Sequence, residues 1–127
     1  MRRAFATLMA EVSRRGEVIL DEASPAQRRA LFAIAVREDE EYARDTFLRF
    51  AGFRQHSSLT SAMRPFLKGN NAILEKRGSK VRYRERFMRL WMLLQVMRNP
   101  SMFPAARGVQ TDADYSLLLP YLADALK

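Results

Sequence analysis

The sequence predicts a mainly helical α+β domain organised on a helix, a two-stranded ribbon and a second helix. Three observations carry this. Residues 57–69 place Leu59, Met63, Phe66 and Leu67 at helical spacing, with polar side chains between them. Two short apolar-basic runs, Ala72–Lys76 and Val81–Arg84, flank the turn residues Arg77-Gly78-Ser79-Lys80, and Val81 and Tyr83 alternate with Arg82 and Arg84 as in a half-buried strand. From Glu85 to Met97, the residues Phe87, Leu90, Trp91 and Leu94 share one helical face.

The N-terminal stretch Arg2–Arg15 suits a helix, with Phe5, Leu8, Met9 and Val12 as one apolar stripe. Gly16 stands where a left-handed C-cap belongs, and Val18-Ile19-Leu20 reads as a short strand or an apolar linker before the polar break at Asp21-Glu22-Ala23. A capping box then opens the next helix. Ser24 is the cap, Pro25 fits the first helical position, and Gln27 stands three residues after the cap. Leu31, Phe32, Ile34 and Ala35 form its buried side, and it ends near Arg37. The carboxylates of Glu38-Asp39-Glu40-Glu41 favour a new helix N-terminus, where the helix dipole attracts negative charge. That helix is expected to reach about Ala51, with Ala43, Phe47 and Phe50 on its inner side and Gly52 at its end.

Ser57 or Ser58 is expected to cap the following helix, leaving Thr60, Ser61, Arg64 and Lys68 on its outer side. Pro65 costs about 3 kcal/mol in a helix interior, so the chain should kink or tighten there. Gly69-Asn70-Asn71 ends the helix, because these residue types tolerate left-handed backbone. Asn99-Pro100 stops the helix that carries Trp91. Ser101–Gln110 reads as an irregular wrap, and Asp112 caps a final helix carrying Tyr115, Leu118, Leu119 and Leu122, which Pro120 breaks or kinks. Helix, ribbon and helix in this order form the core of a winged helix-turn-helix with a two-stranded wing. The expected organisation is an N-terminal helix and linker over 1–23, a winged-helix domain over 24–98, and a C-terminal wrap and helix over 99–127 packed on the same domain.

Bulk properties narrow the function. At 127 residues with 48% hydrophobic content, one folded domain with a real core is expected. There is no cysteine, which removes disulfides and cysteine-based metal sites or nucleophiles, and a cytoplasmic setting is expected. No apolar run approaches the roughly 18 residues of a membrane span, so no membrane partner is expected. Glu11, Arg14 and Arg15 interrupt the stretch that would follow a signal-peptide n-region. The net charge of +8 is unevenly spread. Residues 1–53 carry nine Arg and nine carboxylates, whereas residues 54–98 carry eleven Lys or Arg against Glu75 and Glu85. A basic field confined to one region suits an anionic partner, and double-stranded DNA is the expected one.

The nucleic-acid-binding set follows from this layout. Ser58, Thr60, Ser61, Arg64 and Lys68 lie on the recognition helix at about 57–69, where short hydroxyls permit close approach and Arg pairs with a guanine edge or a phosphate. Arg77, Lys80, Arg82 and Arg84 lie on or beside the wing at about 76–84 and are suited to phosphate contact. The plainer reading is a solvated polar face, or one that docks a protein. Trp91 is read as core and the seven Met residues as adaptable core filler. His56 is the lone histidine, so no metal is expected. No nucleophile elbow accompanies it and Gly78-Ser79-Lys80 has the wrong order for a phosphate-binding loop, so no catalytic residue, no cofactor and no enzyme activity are expected of this chain. Phe5–Val12 offers a seam for a homodimer.

From Ser24 to Trp91 the chain resembles the C-terminal winged-helix domain of prokaryotic, archaeal-type AAA ATPases. The resemblance rests on Ser24-Pro25-Ala26-Gln27-Arg28-Arg29 at a helix start and on Ser57-Ser58-Leu59 with Met63 and Phe66. It ends on Tyr83-Arg84 leading to Phe87-Met88-Arg89-Leu90-Trp91. The chain departs from that pattern at Glu85-Arg86, where the family usually has Asp-Pro, and at Pro65. The resemblance implies an alternative role: a protein-interaction or regulatory lobe of an ATPase whose nucleotide module lies outside this chain.

Overall fold

Seven consecutive residues, Ala30–Val36, are buried on every side, so the helix that carries them must lie at the centre of the molecule. The computed structural model describes residues 2–69 and 72–99, with side chains from Thr7 onward. In order, the described elements are helix α1 (Arg2–Glu22), α2 (Pro25–Val36), α3 (Asp45–Phe50) and α4 (His56–Met63), a 3-10 turn at Arg64–Phe66, strands β1 (Leu74–Arg77) and β2 (Lys80–Tyr83), and helix α5 (Arg86–Arg98). The fold is mainly helical with one small antiparallel sheet, as the α+β expectation has it. The expected Phe5 contact, the Asn70-Asn71 stop, the wrap over 101–110 and the helix from Asp112 lie outside the described residues.

The capping box at α2 forms as expected. Gln27 N–H donates to Ser24 Oγ at 3.1 Å, and Ser24 N–H donates to Gln27 Oε1 at 2.8 Å. Around α2 pack α4, α5 and β2, and α1 covers α5 from the far side. Sandwiched in this way, α5 buries Met88–Leu94 and Val96 rather than a single stripe.

Several expectations are corrected. Gly16 does not cap a helix: α1 continues through it and through Val18-Ile19-Leu20 to Glu22. The reason is contact. A Cβ on Gly16 would stand 2.4 Å from Trp91 Cζ3, so glycine is the residue that lets α5 approach. The α1 stripe is Met9, Val12, Ile19 and Leu20, while Leu8 is 42% exposed. Met9 and Val12 are buried in the chain's own core and are therefore not available as a dimer seam.

The acidic run starts no helix. Glu38–Arg44 form turns and a bridge, α3 begins only at Asp45, and Ala43 is exposed. These residues dock on the sheet instead: Glu41 bridges Lys80, Asp39 N–H donates to Val81 O at 3.2 Å, and Tyr42 N–H donates to Ser79 O at 3.2 Å. Asp39 takes φ +65° to make this turn. Glu38 Oε2 accepts the Tyr83 N–H at 3.0 Å, and its other oxygen lies 3.7 Å from the buried Arg89. Backbone edge groups of β2 thus satisfy their hydrogen bonds on a segment that looked like a helix start.

The hairpin register is Leu74↔Tyr83, Glu75↔Arg82, Lys76↔Val81 and Arg77↔Lys80, with Gly78-Ser79 as the two-residue turn. The strands are shifted slightly from the expected runs 72–76 and 81–84. Gly78 alone in this turn has positive φ, at +63°, the pattern of a type II′ turn.

Candidate nucleic-acid interface

α4 starts one residue before the expected capping serines. Gln55 is its N-cap and makes no side-chain cap bond, and Ser57 and Ser58 fall in the first turn. Leu59 and Met63 are fully buried against α2, which turns the opposite face to solvent. On that face Ser58, Ser61, Arg64 and Lys68 are exposed, while Thr60 is half-buried. Pro65 acts as expected: the α-helix stops at Met63 and the chain tightens into the 3-10 turn. Arg64 stands at that junction, where a cation meets the negative end of the α4 dipole. Neither Arg64 nor Lys68 has an ion-pair partner among the described residues.

The hairpin divides cleanly into two faces. Leu74, Val81 and Tyr83 point inward and are buried, and the Tyr83 hydroxyl donates to Leu31 O at 2.6 Å. Burial, with the Glu38 charge in second place, raises the Tyr83 phenol well above its ordinary value. Period-two alternation puts Glu75, Arg77, Lys80, Arg82 and Arg84 on the outer face. Three of these four cations are engaged. Arg82 Nε donates to Glu75 Oε1 at 3.1 Å, and Arg77 Nε lies 3.7 Å from the same oxygen. Arg82 Nη1 is also 4.0 Å from Asp39. Arg84 Nε donates to Leu74 O at 3.0 Å. Lys80 has no side-chain partner among the described residues.

The uneven charge of the sequence is therefore partly evened out in space. Asp39 comes from the neutral N-terminal half, yet it lies beside Arg82 of the hairpin. At the base of the hairpin, Glu85 receives both Arg15 nitrogens, at 2.9 and 2.6 Å. The hydrogen bond to Arg15 holds the Glu85 carboxyl below its ordinary value and raises the Arg15 guanidinium in turn. Sequence patterning alone does not assign Glu75 and Asp39 as partners of the hairpin cations. Glu75 was reachable, because a two-residue turn at Gly78-Ser79 sets it opposite Arg82.

Among the described residues no group of three His, Cys, Asp or Glu is placed to hold a metal ion, and no helix is long and apolar enough to cross a membrane. No protein-family model, no curated protein and no solved structure matches the chain.

Proposed function

We propose that the chain is a winged-helix domain that binds double-stranded DNA, with α4 and its 3-10 turn as the recognition element and the β1–β2 hairpin as the wing. The observation that carries this reading is the exposed face of α4. It combines the small hydroxyls of Ser58 and Ser61 with two cations, Arg64 and Lys68, that have no carboxylate partner among the described residues. Such a face suits close approach to base edges and phosphates. The element order supports it too: α2, the 39–42 bridge, α3, α4, hairpin and α5 follow the succession of a winged helix.

The test is fluorescence anisotropy with a random and a selected duplex across a salt series. Wild-type protein should bind more weakly as salt rises. Neutralising Lys80 and Arg84 should flatten log affinity against log salt by about 0.9 per lost contact, equally on both duplexes. Arg64→Gln should relax preference at one base position, at a cost of about 1–3 kcal/mol. The absence of salt-dependent binding to any duplex near physiological salt would sink the reading.

One observation favours a second reading, the regulatory or protein-docking lobe of an AAA-type ATPase. Arg77 and Arg82 already hold internal carboxylates, so the wing offers fewer free charges than its composition promises. A chain that ignores every duplex but is captured by an archaeal-type ATPase module would support that role.

A further inference from the structure

The outer face of the hairpin holds four cations and one carboxylate, and the carboxylate lies among them. Glu75 stands directly opposite Arg82 and two residues before Arg77, so strand pairing and strand period both bring a guanidinium to it. One oxygen, Oε1, serves both, at 3.1 Å from Arg82 Nε and 3.7 Å from Arg77 Nε. Asp39 adds a second, longer contact to Arg82, and its own position is fixed by the Asp39 N–H to Val81 O bond. The Glu75 and Arg82 side chains are each about one-third exposed, at 35% and 36%. Glu75 therefore competes with any incoming phosphate for the Arg82 Nε and for Arg77.

We propose that Glu75 is an electrostatic brake on the wing: it occupies Arg77 and Arg82 and so suppresses sequence-independent binding to polyanionic duplex, leaving discrimination to the α4 face. The proposal rests on the duplex-binding reading above. Physically, a cation already neutralised by an internal carboxylate releases no condensed counterion when it meets a phosphate, so it adds nothing to the salt-dependent, sequence-blind part of affinity. Removing the Glu75 charge restores that term for up to two side chains. The energy holding an ion pair one-third exposed to solvent is small, so the pair yields to a well-placed phosphate but not to a passing one.

The experiment measures binding of random and selected duplexes between 50 mM and 200 mM salt for wild type, Glu75→Gln, the double variant Glu75→Gln with Arg82→Gln, and Asp21→Asn. The last makes the same change in net charge on α1. Glutamine keeps the shape of glutamate, and melting curves followed by circular dichroism verify that each variant is folded. Glu75→Gln should bind random duplex more tightly, with a salt slope steeper by about 0.9 for each freed cation that takes a phosphate. Each such contact widens the affinity ratio between the two salt concentrations by about threefold. The ratio of selected to random affinity should fall, the double variant should lose about half of the gain, and Asp21→Asn should follow wild type. If wild type binds but Glu75→Gln matches Asp21→Asn, or binds more weakly, the brake is overturned and the duplex reading stands. If Glu75→Gln binds and wild type binds neither duplex, the duplex reading fails for the natural chain and the brake as stated, which leaves discrimination to the α4 face, is overturned with it. If neither binds, both are overturned.

Discussion

At Gly16 the geometry of one residue overrides the local sequence signal. A glycine after a helical stripe usually marks a C-cap, yet this one lies inside α1 with the Trp91 ring against its backbone. Two opposed effects decide what Gly16→Ala does. Alanine is favoured over glycine in a helix interior by about 1 kcal/mol. Its methyl would sit 2.4 Å from Trp91 Cζ3, closer than any real carbon contact, so the ring or the α1 backbone must shift. Overpacking of this kind costs about 1–3 kcal/mol. At so close an approach the cost lies toward the top of that range, and urea unfolding should show Gly16→Ala less stable than wild type by up to about 2 kcal/mol. Stability equal to or above wild type would mean that Trp91 repacks at a cost no greater than the gain in helix propensity. The contact joins residues 75 positions apart, which explains why a window along the sequence reads a cap here. By contrast, the capping box at Ser24 and Gln27 was fully legible, because all its partners lie within one helical turn.

Elements were legible wherever their stabilising contacts are local or periodic. The α4 stripe, the Pro65 tightening, the Gly78 turn and the inward Val81 and Tyr83 all stand as the spacing predicts. The acidic run failed for a definite reason. Helix dipole attraction is worth only about 0.3–1 kcal/mol per charge, and here pairing with the edge of β2 and with Arg89 outweighs it. Of the candidate site, the exposed hydroxyls and cations were legible, and the carboxylates that pair with the hairpin cations were not. A similar pairing ties α1 to the start of α5, where Arg15 meets Glu85 at its N-cap position. The Glu85 carboxyl has a folded value below its unfolded one, so its contribution is complete above the unfolded value and is lost as pH falls through the folded one. Both side chains are 49% exposed, so solvent screening limits the pair to less than about 1 kcal/mol. Glu85→Gln should lower stability by that amount at pH 7, and the gap to wild type should close as pH falls below the ordinary glutamate value of about 4.3. A gap that persists in acid would assign the effect to packing.

For the whole molecule the question is whether α1 is an appendage or part of the fold. One continuous core runs from Met9 through α2, α4 and the hairpin to Val96, and α1 supplies Met9, Val12, Ile19 and Leu20 to it. Its contact partner is α5, which α2 covers on the other side. Trp91 is the single tryptophan, and it sits in that contact at 5% exposure. Its emission therefore reports directly on the α1–α5 seam. Burying a large apolar side chain is worth about 1.5–3 kcal/mol, against a total of about 5–15 kcal/mol for a domain. Removing α1 strips this cover from Trp91 and from its neighbours on α5, a large fraction of that total. The ordering cost of the α1 residues disappears with them and offsets part of this loss, but α5 stays ordered without its cover. The full chain should unfold in one step, with Trp91 fluorescence and far-ultraviolet circular dichroism giving the same midpoint. A chain beginning at Ser24 should show red-shifted emission before any denaturant is added, and a lower, broader transition. If the shortened chain keeps blue emission and melts as sharply as the full one, α5 has found another cover and α1 is not an integral part of the core.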